Sequence, residues 1–372
     1  MNDLIPPALA QTIQATHADG AAWLARFPAQ LAIWQTEWQL VLDAPFPNLS
    51  YNYVAPGTRA TSQAAIKQAI VLKAGPVSPE FHSESAALRC YAGRGAVRLL
   101  AADPEQGALL LERISPGAPL IHQTDDRVAT AIAAQVMQTL WEASPTPPST
   151  GPTVESQHPA KADHFPTIAD WGAGLEKIRP WFGGNTGPLP ARLVDKARRI
   201  FDELLASMAT PVLLHGDLHH ENILWGENIL WGAADGHVQP PHLAKPHLAK
   251  PQPGQWFAID PKGVWGEPAY EPGAWLRNPM AMPERWENPA AQLARRLDQF
   301  RDLLGLDRQR MAAWGFAQAV LSAWWSIEDS PTAKHTISHT ALHAPTQPPA
   351  TPYMHDWDHA LAVATWLDPL VD

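Results

Sequence analysis

The sequence has a single cysteine, Cys90, among 372 residues. That excludes an internal disulfide framework and any zinc site built from several cysteines. Basic charge is also scarce: 27 Lys and Arg stand against 37 Asp and Glu, a formal net charge of -10. Nucleic-acid binders normally present a basic face, so no nucleic-acid partner is expected, whereas a cationic small molecule is compatible with the acidic balance. No run of about 18 uncharged apolar residues is present to span a bilayer, so no membrane partner is expected. The opening Met1-Asn2-Asp3-Leu4-Ile5-Pro6-Pro7 lacks a basic stretch followed by a long apolar one, and a cytoplasmic protein is the expectation.

Apolar material is plentiful. Hydrophobic residues make up 45% of the chain and charged residues 17%, which is not the composition of a disordered protein. The length suits one large bilobal unit or two ordinary domains. Ala8 to Gln39, rich in Ala, Leu, Gln and Trp, reads as helical. Within Leu40 to Val54, Pro45, Pro47 and Asn48 mark a turn between two strands. The apolar run Ala69-Ile70-Val71-Leu72-Lys73 reads as a buried strand ending in lysine. Ser83 to Ala92 has helical spacing. Ala96 to Leu100 and Ala108 to Glu112 read as a hairpin about Asp103-Pro104-Glu105-Gln106-Gly107.

These strands and one helix make a small α+β lobe over residues 1–115. Beyond Ser115-Pro116-Gly117, residues 116–372 are mainly helical, with candidates at Asp126 to Trp141, Leu189 to Met208, Ala290 to Leu304 and Arg308 to Ile327. Pro145 to Pro159 and His343 to Pro352 read as Pro-rich loops. Glu221-Asn222-Ile223-Leu224-Trp225-Gly226 recurs at once from Glu227 to Gly232, and Pro241 to Lys245 recurs from Pro246 to Lys250. Both are too short for a solenoid and read as duplications lengthening a loop.

Three segments carry chemistry. In Leu213-Leu214-His215-Gly216-Asp217-Leu218-His219-His220-Glu221-Asn222, an apolar strand runs into His-Gly-Asp, with an asparagine five residues after the aspartate. Phosphoryl transfer needs a carboxylate beside the attacking hydroxyl and an oxygen donor to help hold Mg²⁺ on the phosphates. Asp217 is the candidate base, Asn222 the candidate metal ligand, and His215 is expected to hold this catalytic loop by hydrogen bonding. In Trp256-Phe257-Ala258-Ile259-Asp260-Pro261-Lys262-Gly263 a second strand ends in an aspartate at a turn. Alone this is a common turn aspartate; after the His-Gly-Asp loop, Asp260 is the second candidate metal ligand of an Mg²⁺–ATP site. Lys73, paired with Glu84 on the next helix, is the candidate for holding the α- and β-phosphates. Glu267, Glu271, Glu328 and Asp329 are weaker candidates for ammonium or guanidinium groups of a cationic substrate, and Trp324 and Trp325 for stacking on it. His335, His339 and His343 share a helical spacing but have no carboxylate or cysteine to complete a metal set, and read as part of a solvated loop.

These residues resemble the eukaryotic-like kinase superfamily and, more narrowly, the aminoglycoside/hydroxyurea antibiotic-resistance kinases of the streptomycin 6-phosphotransferase type. The carrying segments are Val71-Leu72-Lys73, Glu84 with Ala87-Leu88-Arg89, Gly93 to Leu100, Leu110 to Arg113 with Pro116-Gly117, His215 to Leu224, Ile259 to Tyr270, and Gly305 to Arg308 with Trp314 to Trp325. The resemblance implies an α+β, bilobal protein-kinase-like fold, with a small N-terminal antiparallel sheet lobe carrying one key helix and a larger, mainly helical C-terminal lobe. It implies ATP and Mg²⁺, a small-molecule acceptor, and a hinge at Glu112 to Ile114 whose backbone reads the adenine edge. Two departures are visible: no glycine-rich loop occurs around Phe46 to Ala55, and the duplications stretch the distance from Asp217 to Asp260. Asn228 duplicates Asn222, but Asn222 keeps the five-residue spacing. The expected activity is phosphorylation of an aminoglycoside hydroxyl, conferring resistance. Competing readings are a kinase for another metabolite or for hydroxyurea, and a non-catalytic nucleotide-binding pseudokinase.

Overall fold

The structure, a computed structural model, describes residues 4–47, 49–60, 67–146, 165–227, 255–280, 286–329 and 356–371. The chain opens with helices α1 (Pro7–Thr16) and α2 (Gly20–Glu37). The expected helical segment breaks between them, where His17 is extended. Gly20 then passes so near the first helix that a Cβ would lie 2.3 Å from the Ile13 carbonyl oxygen, which excludes a side chain there.

Strands β1 (Leu40–Leu42), β2 (Tyr53–Ala60) and β3 (Lys67–Ala74) are followed by α3 (Pro79–Tyr91), then β4 (Leu99–Asp103) and β5 (Ala108–Glu112). The five strands form one antiparallel sheet in the order β1-β2-β3-β5-β4. Trp23, Phe27, Leu31 and Trp34 of α2 recur at helical spacing and pack on one sheet face, against Tyr53, Ala55, Leu72, Ala74 and Ala108. Trp34 also donates its indole N–H to Asp103, 3.0 Å away. Successive strand residues point to opposite faces. With Leu72 and Ala74 committed to α2, Lys73 therefore points toward α3 and the rest of the protein. The expected hairpin is shorter than its apolar run: Ala96 bridges to Ala258 instead, and the Val97 N–H bonds the Ala258 carbonyl at 2.8 Å. Buried Ala96 and Val97 thus tie the first sheet to the strand that ends at Asp260.

The remainder is largely helical. In chain order it comprises β6 (Pro116–Pro119), α4 (Asp126–Glu142), α5 (Ile168–Gly172), α6 (Ile178–Trp181), α7 (Ala191–Ala206), β7 (Val212–Leu214), β8 (Ile223–Gly226), β9 (Gln255–Ala258), β10 (Val264–Gly266), α8 (Pro272–Arg277), α9 (Pro289–Leu304), α10 (Arg308–Asp329) and α11 (Asp356–Leu367). Two small antiparallel sheets, β6-β8-β9 and β10-β7, sit among the helices. α10 is buried on all sides over Met311–Leu321, all apolar there but Gln318, and lies between α7, α8, α9 and α11. Asp125 caps α4 by accepting the N–H of Arg127 at 2.9 Å.

The first copy of the duplication is β8, paired antiparallel with β9 so that Gly226 faces Gln255. Residues 228–254 therefore join two neighbouring strands. They hold Asn228, most of the second copy and the Pro241–Lys250 duplication, and like His335, His339 and His343 they lie outside the described residues. Among the described residues no helix is long and apolar enough to cross a membrane.

Candidate active site

Lys73 ends the run of β3 that faces α3, and Glu84 is on the first turns of α3. The Lys73 ammonium lies 2.7 Å from the Glu84 carboxylate and 2.5 Å from Oδ1 of Asp260. The fold thus brings Asp260 onto the ammonium of a lysine 187 residues before it in sequence. Burial would lower the proton affinity of Lys73, but the two carboxylates outweigh it and the pKa is raised. Burial also raises that of Glu84, against the pull of Lys73, and one Glu84 oxygen, Oε1, is buried with no hydrogen-bond partner.

Asp260 follows β9 in a left-handed backbone conformation, φ 59, unusual for a residue with a side chain. Lys73 sits on one of its oxygens; Lys262, two residues on, sits on the other at 3.2 Å. Burial alone would push this carboxyl up, but the two ammoniums hold it well below the usual range.

The His215–Asn222 loop leaves β7. Gly216 has φ 84, and a Cβ there would lie 2.6 Å from the Trp171 ring, so the turn that presents Asp217 requires glycine. Buried His215 places Nε2 2.9 Å from the Ile259 carbonyl and accepts the Asp217 N–H on Nδ1 at 3.2 Å. That pattern fixes one neutral tautomer, Nε2 donating, and burial lowers the pKa to about 4. His215 thus joins the loop to the strand before Asp260. Asn222 donates its side-chain amide N–H to the Asp217 carbonyl, 3.0 Å away, and its main-chain carbonyl accepts the Ile259 N–H at 2.9 Å.

Glu271 and Glu267 depart from expectation. Both are buried, 1% and 2% exposed, so neither reaches a substrate. Glu271 accepts the backbone N–H groups of His215 (2.8 Å) and Gly216 (2.9 Å), and burial raises its pKa to about 7 against those two bonds. Glu267 pairs with Arg310 at 2.6 Å and accepts the Trp314 indole N–H. An acidic residue in sequence does not reveal whether N–H groups from its own fold already claim it. Trp324 is buried as well, edge-on to Trp181 and Phe182. Glu328 is partly exposed and pairs with Lys177 at 3.0 Å; Asp329 is exposed at the end of α10. Half-buried Trp171 and Trp325 meet edge-to-face, 5.6 Å between centroids, with Trp171 against Gly216.

At the expected hinge, the N–H of Glu112 bonds the Arg98 carbonyl (3.0 Å) and that of Arg113 the Ala69 carbonyl (3.2 Å). The Glu112 side chain accepts from Arg98 N–H at 2.8 Å. Two hinge donors are therefore committed inside the sheet.

Arg277, at the end of α8, carried no signal in sequence. Its guanidinium reaches Oδ1 of Asp217 at 3.9 Å, and its other arm bonds Gln318 at 2.7 Å. Behind the loop, fully buried Arg296 pairs with Asp126, bonds the carbonyls of Trp275 and Asn278 at 2.8 Å each, and lies 3.3 Å from Nε2 of His220. His220 in turn stacks on Trp275, centroids 3.6 Å apart.

Asp260 and Asn222 suit magnesium, which takes one or two protein carboxylates and completes its octahedron from phosphates and water. Among the described residues no three His, Cys, Asp or Glu side chains are grouped to hold a metal by themselves.

The chain is 28% identical to a streptomycin 6-kinase of Streptomyces glaucescens over 91% of this chain and 95% of that one. It is 28% identical to a hydroxyurea phosphotransferase of Kitasatospora aureofaciens, over 85% and 78% respectively. A choline kinase of Streptococcus pneumoniae shares the fold, with a TM-score of 0.53, 12% identity, and coverage of 93% of this chain and 99% of that one. The bilobal kinase-like fold is thus established. A model of one family, described as aminoglycoside/hydroxyurea antibiotic resistance kinase, matches residues 55–330. With a sheet lobe, a helical lobe and that match over most of its length, the chain belongs to the aminoglycoside/hydroxyurea antibiotic resistance kinase family.

Proposed function

We propose that this protein is an ATP-dependent O-phosphotransferase that modifies a hydroxyl of a cationic aminoglycoside, streptomycin being the first acceptor to test, and so confers resistance to it. The observation that carries the reading is the Lys73 ammonium held between Glu84 and Asp260 at 2.7 and 2.5 Å, with the Asp217 loop strutted onto the same strand by His215. Lys73 then holds nucleotide phosphates as a point charge, fixed by Glu84. Ile114 is the hinge residue placed to offer its N–H to adenine, since those of Glu112 and Arg113 are committed.

Asp217 takes the proton of the acceptor hydroxyl. The acceptor oxygen bonds to the γ-phosphorus, the bond from that phosphorus to the bridging oxygen breaks, and ADP leaves with the electron pair. Magnesium supplies positive charge to the phosphates when bound, with Asp260 and Asn222 its protein ligands. The acceptor lies on the Trp171 and Trp325 side of Asp217, where a guanidinium can stack on indole and reach Glu328 or Asp329.

Retention of Lys73, Asp217, Asn222 and Asp260 disfavours a pseudokinase. The test is purified protein with Mg²⁺–ATP and a panel of streptomycin, other aminoglycosides, choline and hydroxyurea, read by mass spectrometry for one added phosphoryl group. Phosphorylated streptomycin is expected; phosphorylation of hydroxyurea alone would overturn the aminoglycoside reading.

A further inference from the structure

Asp260 has a cation on each oxygen, and the two are held differently. Lys73 lies between two carboxylates and its side chain is 9% exposed; Lys262 has one short contact, 3.2 Å, and is 28% exposed. The backbone beneath Lys262 is nevertheless fixed. Its N–H bonds the His215 carbonyl at 2.8 Å, tying it to the loop that carries Asp217. Gly263, φ 63, leaves no room for a Cβ beside the Ser83 carbonyl and Ala87, so the chain path after Lys262 is set as well. The Lys262 ammonium therefore starts from a fixed backbone, on a side chain more exposed than that of Lys73.

A divalent cation ligated by Asp260 repels an ammonium on the same carboxylate. Lys73 is retained by Glu84; the one short carboxylate contact of Lys262 is the one to Asp260 itself. The connection between β1 and β2, residues 43–52, contains no glycine, so a covering glycine-rich turn is not available there, which gives a side-chain cation near Asp260 more to do. We propose, building on the phosphotransferase reading above, that Lys262 is a catalytic residue that neutralises Asp260 in the nucleotide-free enzyme, cedes that carboxylate to the metal, and moves its ammonium onto the phosphoryl group in transfer toward Asp217.

The proposal requires two effects of opposite sign in Lys262→Met. Without a competing ammonium, the nucleotide-free variant should bind Mn²⁺ several-fold more tightly than wild type, read by the electron paramagnetic resonance of free Mn²⁺. With saturating ATP and acceptor, kcat should fall about 10²-fold or more, the loss typical of removing one donor to developing charge. Lys262→Arg keeps the charge and should show near wild-type Mn²⁺ affinity with partial kcat. Thermal unfolding checks that each variant folds, and the Arg variant keeps the test open should the Met variant not fold. Unchanged or weaker Mn²⁺ binding in Lys262→Met overturns the place-holding role, and a kcat within a few-fold of wild type overturns the catalytic one. If the wild type transfers phosphate to no acceptor in the panel, the function reading fails and takes the catalytic half with it; the Mn²⁺ titration still decides the other half.

Discussion

Glu271 accepts the backbone N–H of His215 at 2.8 Å, from inside the helical core, and with its other oxygen that of Gly216 at 2.9 Å. A buried carboxylate whose two oxygens each answer one loop N–H holds the turn that presents Asp217. The turn itself is held at a second point by the His215 ring on Ile259.

Replacing Glu271 with Gln offers one acceptor and sets an NH₂ against the other N–H. Each charge-assisted bond is worth about 1.5–3 kcal/mol, so kcat should fall about tenfold or more. The acceptor KM should change far less, because the carboxylate does not face the substrate. A variant raising only the acceptor KM would show that Glu271 contacts the acceptor after all.

The same residue sets a pH dependence. Its pKa rises from 4.5 to about 7 on folding. The folded state thus binds this proton more tightly, and the stabilisation from it is present below about 4.5 and lost as pH rises through about 7. Glu271→Gln lacks this loss, so its stability relative to wild type should improve between about pH 5 and about pH 8, measured by denaturant unfolding. Activity should run the other way: wild-type kcat should rise through about pH 7 as the carboxylate forms, and the Gln variant should lack that limb. His215, lowered to about 4, does not titrate in this window.

Asp217→Asn should leave nucleotide affinity near wild type while lowering kcat about 10²-fold or more. Fluorescence titration with a nucleotide analogue and steady-state kinetics separate the two. Turnover within a few-fold of wild type removes Asp217 from the mechanism.

Arg277 stands 3.9 Å from Asp217, on the side of α8. Arg277→Lys keeps the charge but loses the fork that spans Asp217 and Gln318. The expected result is a lower kcat with unchanged ATP KM. Equal losses in both constants would mark Arg277 as support for the helical lobe alone.

Arg296 tests stability. Its guanidinium is fully buried against Asp126, two carbonyls and the Trp275 and Trp286 rings. Arg296→Met leaves Asp126 paired with Arg295 alone and takes the guanidinium donor from both carbonyls, and should cost about 1–3 kcal/mol of unfolding free energy. Deletion of Glu227 to Gly232, by contrast, shortens a connection between paired strands, where closure entropy changes by only about 0.6 kcal/mol per doubling of length. Folding and most activity should survive it, since β8 comes from the first copy.

Legibility followed the range of the interactions. The strand ending in Lys73, the His-Gly-Asp loop and the strand ending in Asp260 could be read because short-range period and turn chemistry announce them, and a catalytic loop packs its chemistry within a few residues. The helices at 126–142, 289–304 and 308–329 were visible for the same reason: side chains three and four apart share a face.

Which acidic residues remain available to a substrate was a tertiary matter. Glu267 and Glu271 look like Glu328 in sequence, yet the first is claimed by Arg310 and Trp314 and the second by two loop N–H groups, both from elements distant along the chain. The same holds for Arg277 and Lys262, whose roles rest on distances to Asp217 and Asp260 that no local spacing encodes. Sequence by itself determined the residue types, their order and the turns that present them. Only the packed chain decided which charges neutralise each other, because a carboxylate's environment is set by whatever long-range packing places beside it, and burial makes that neighbour decisive.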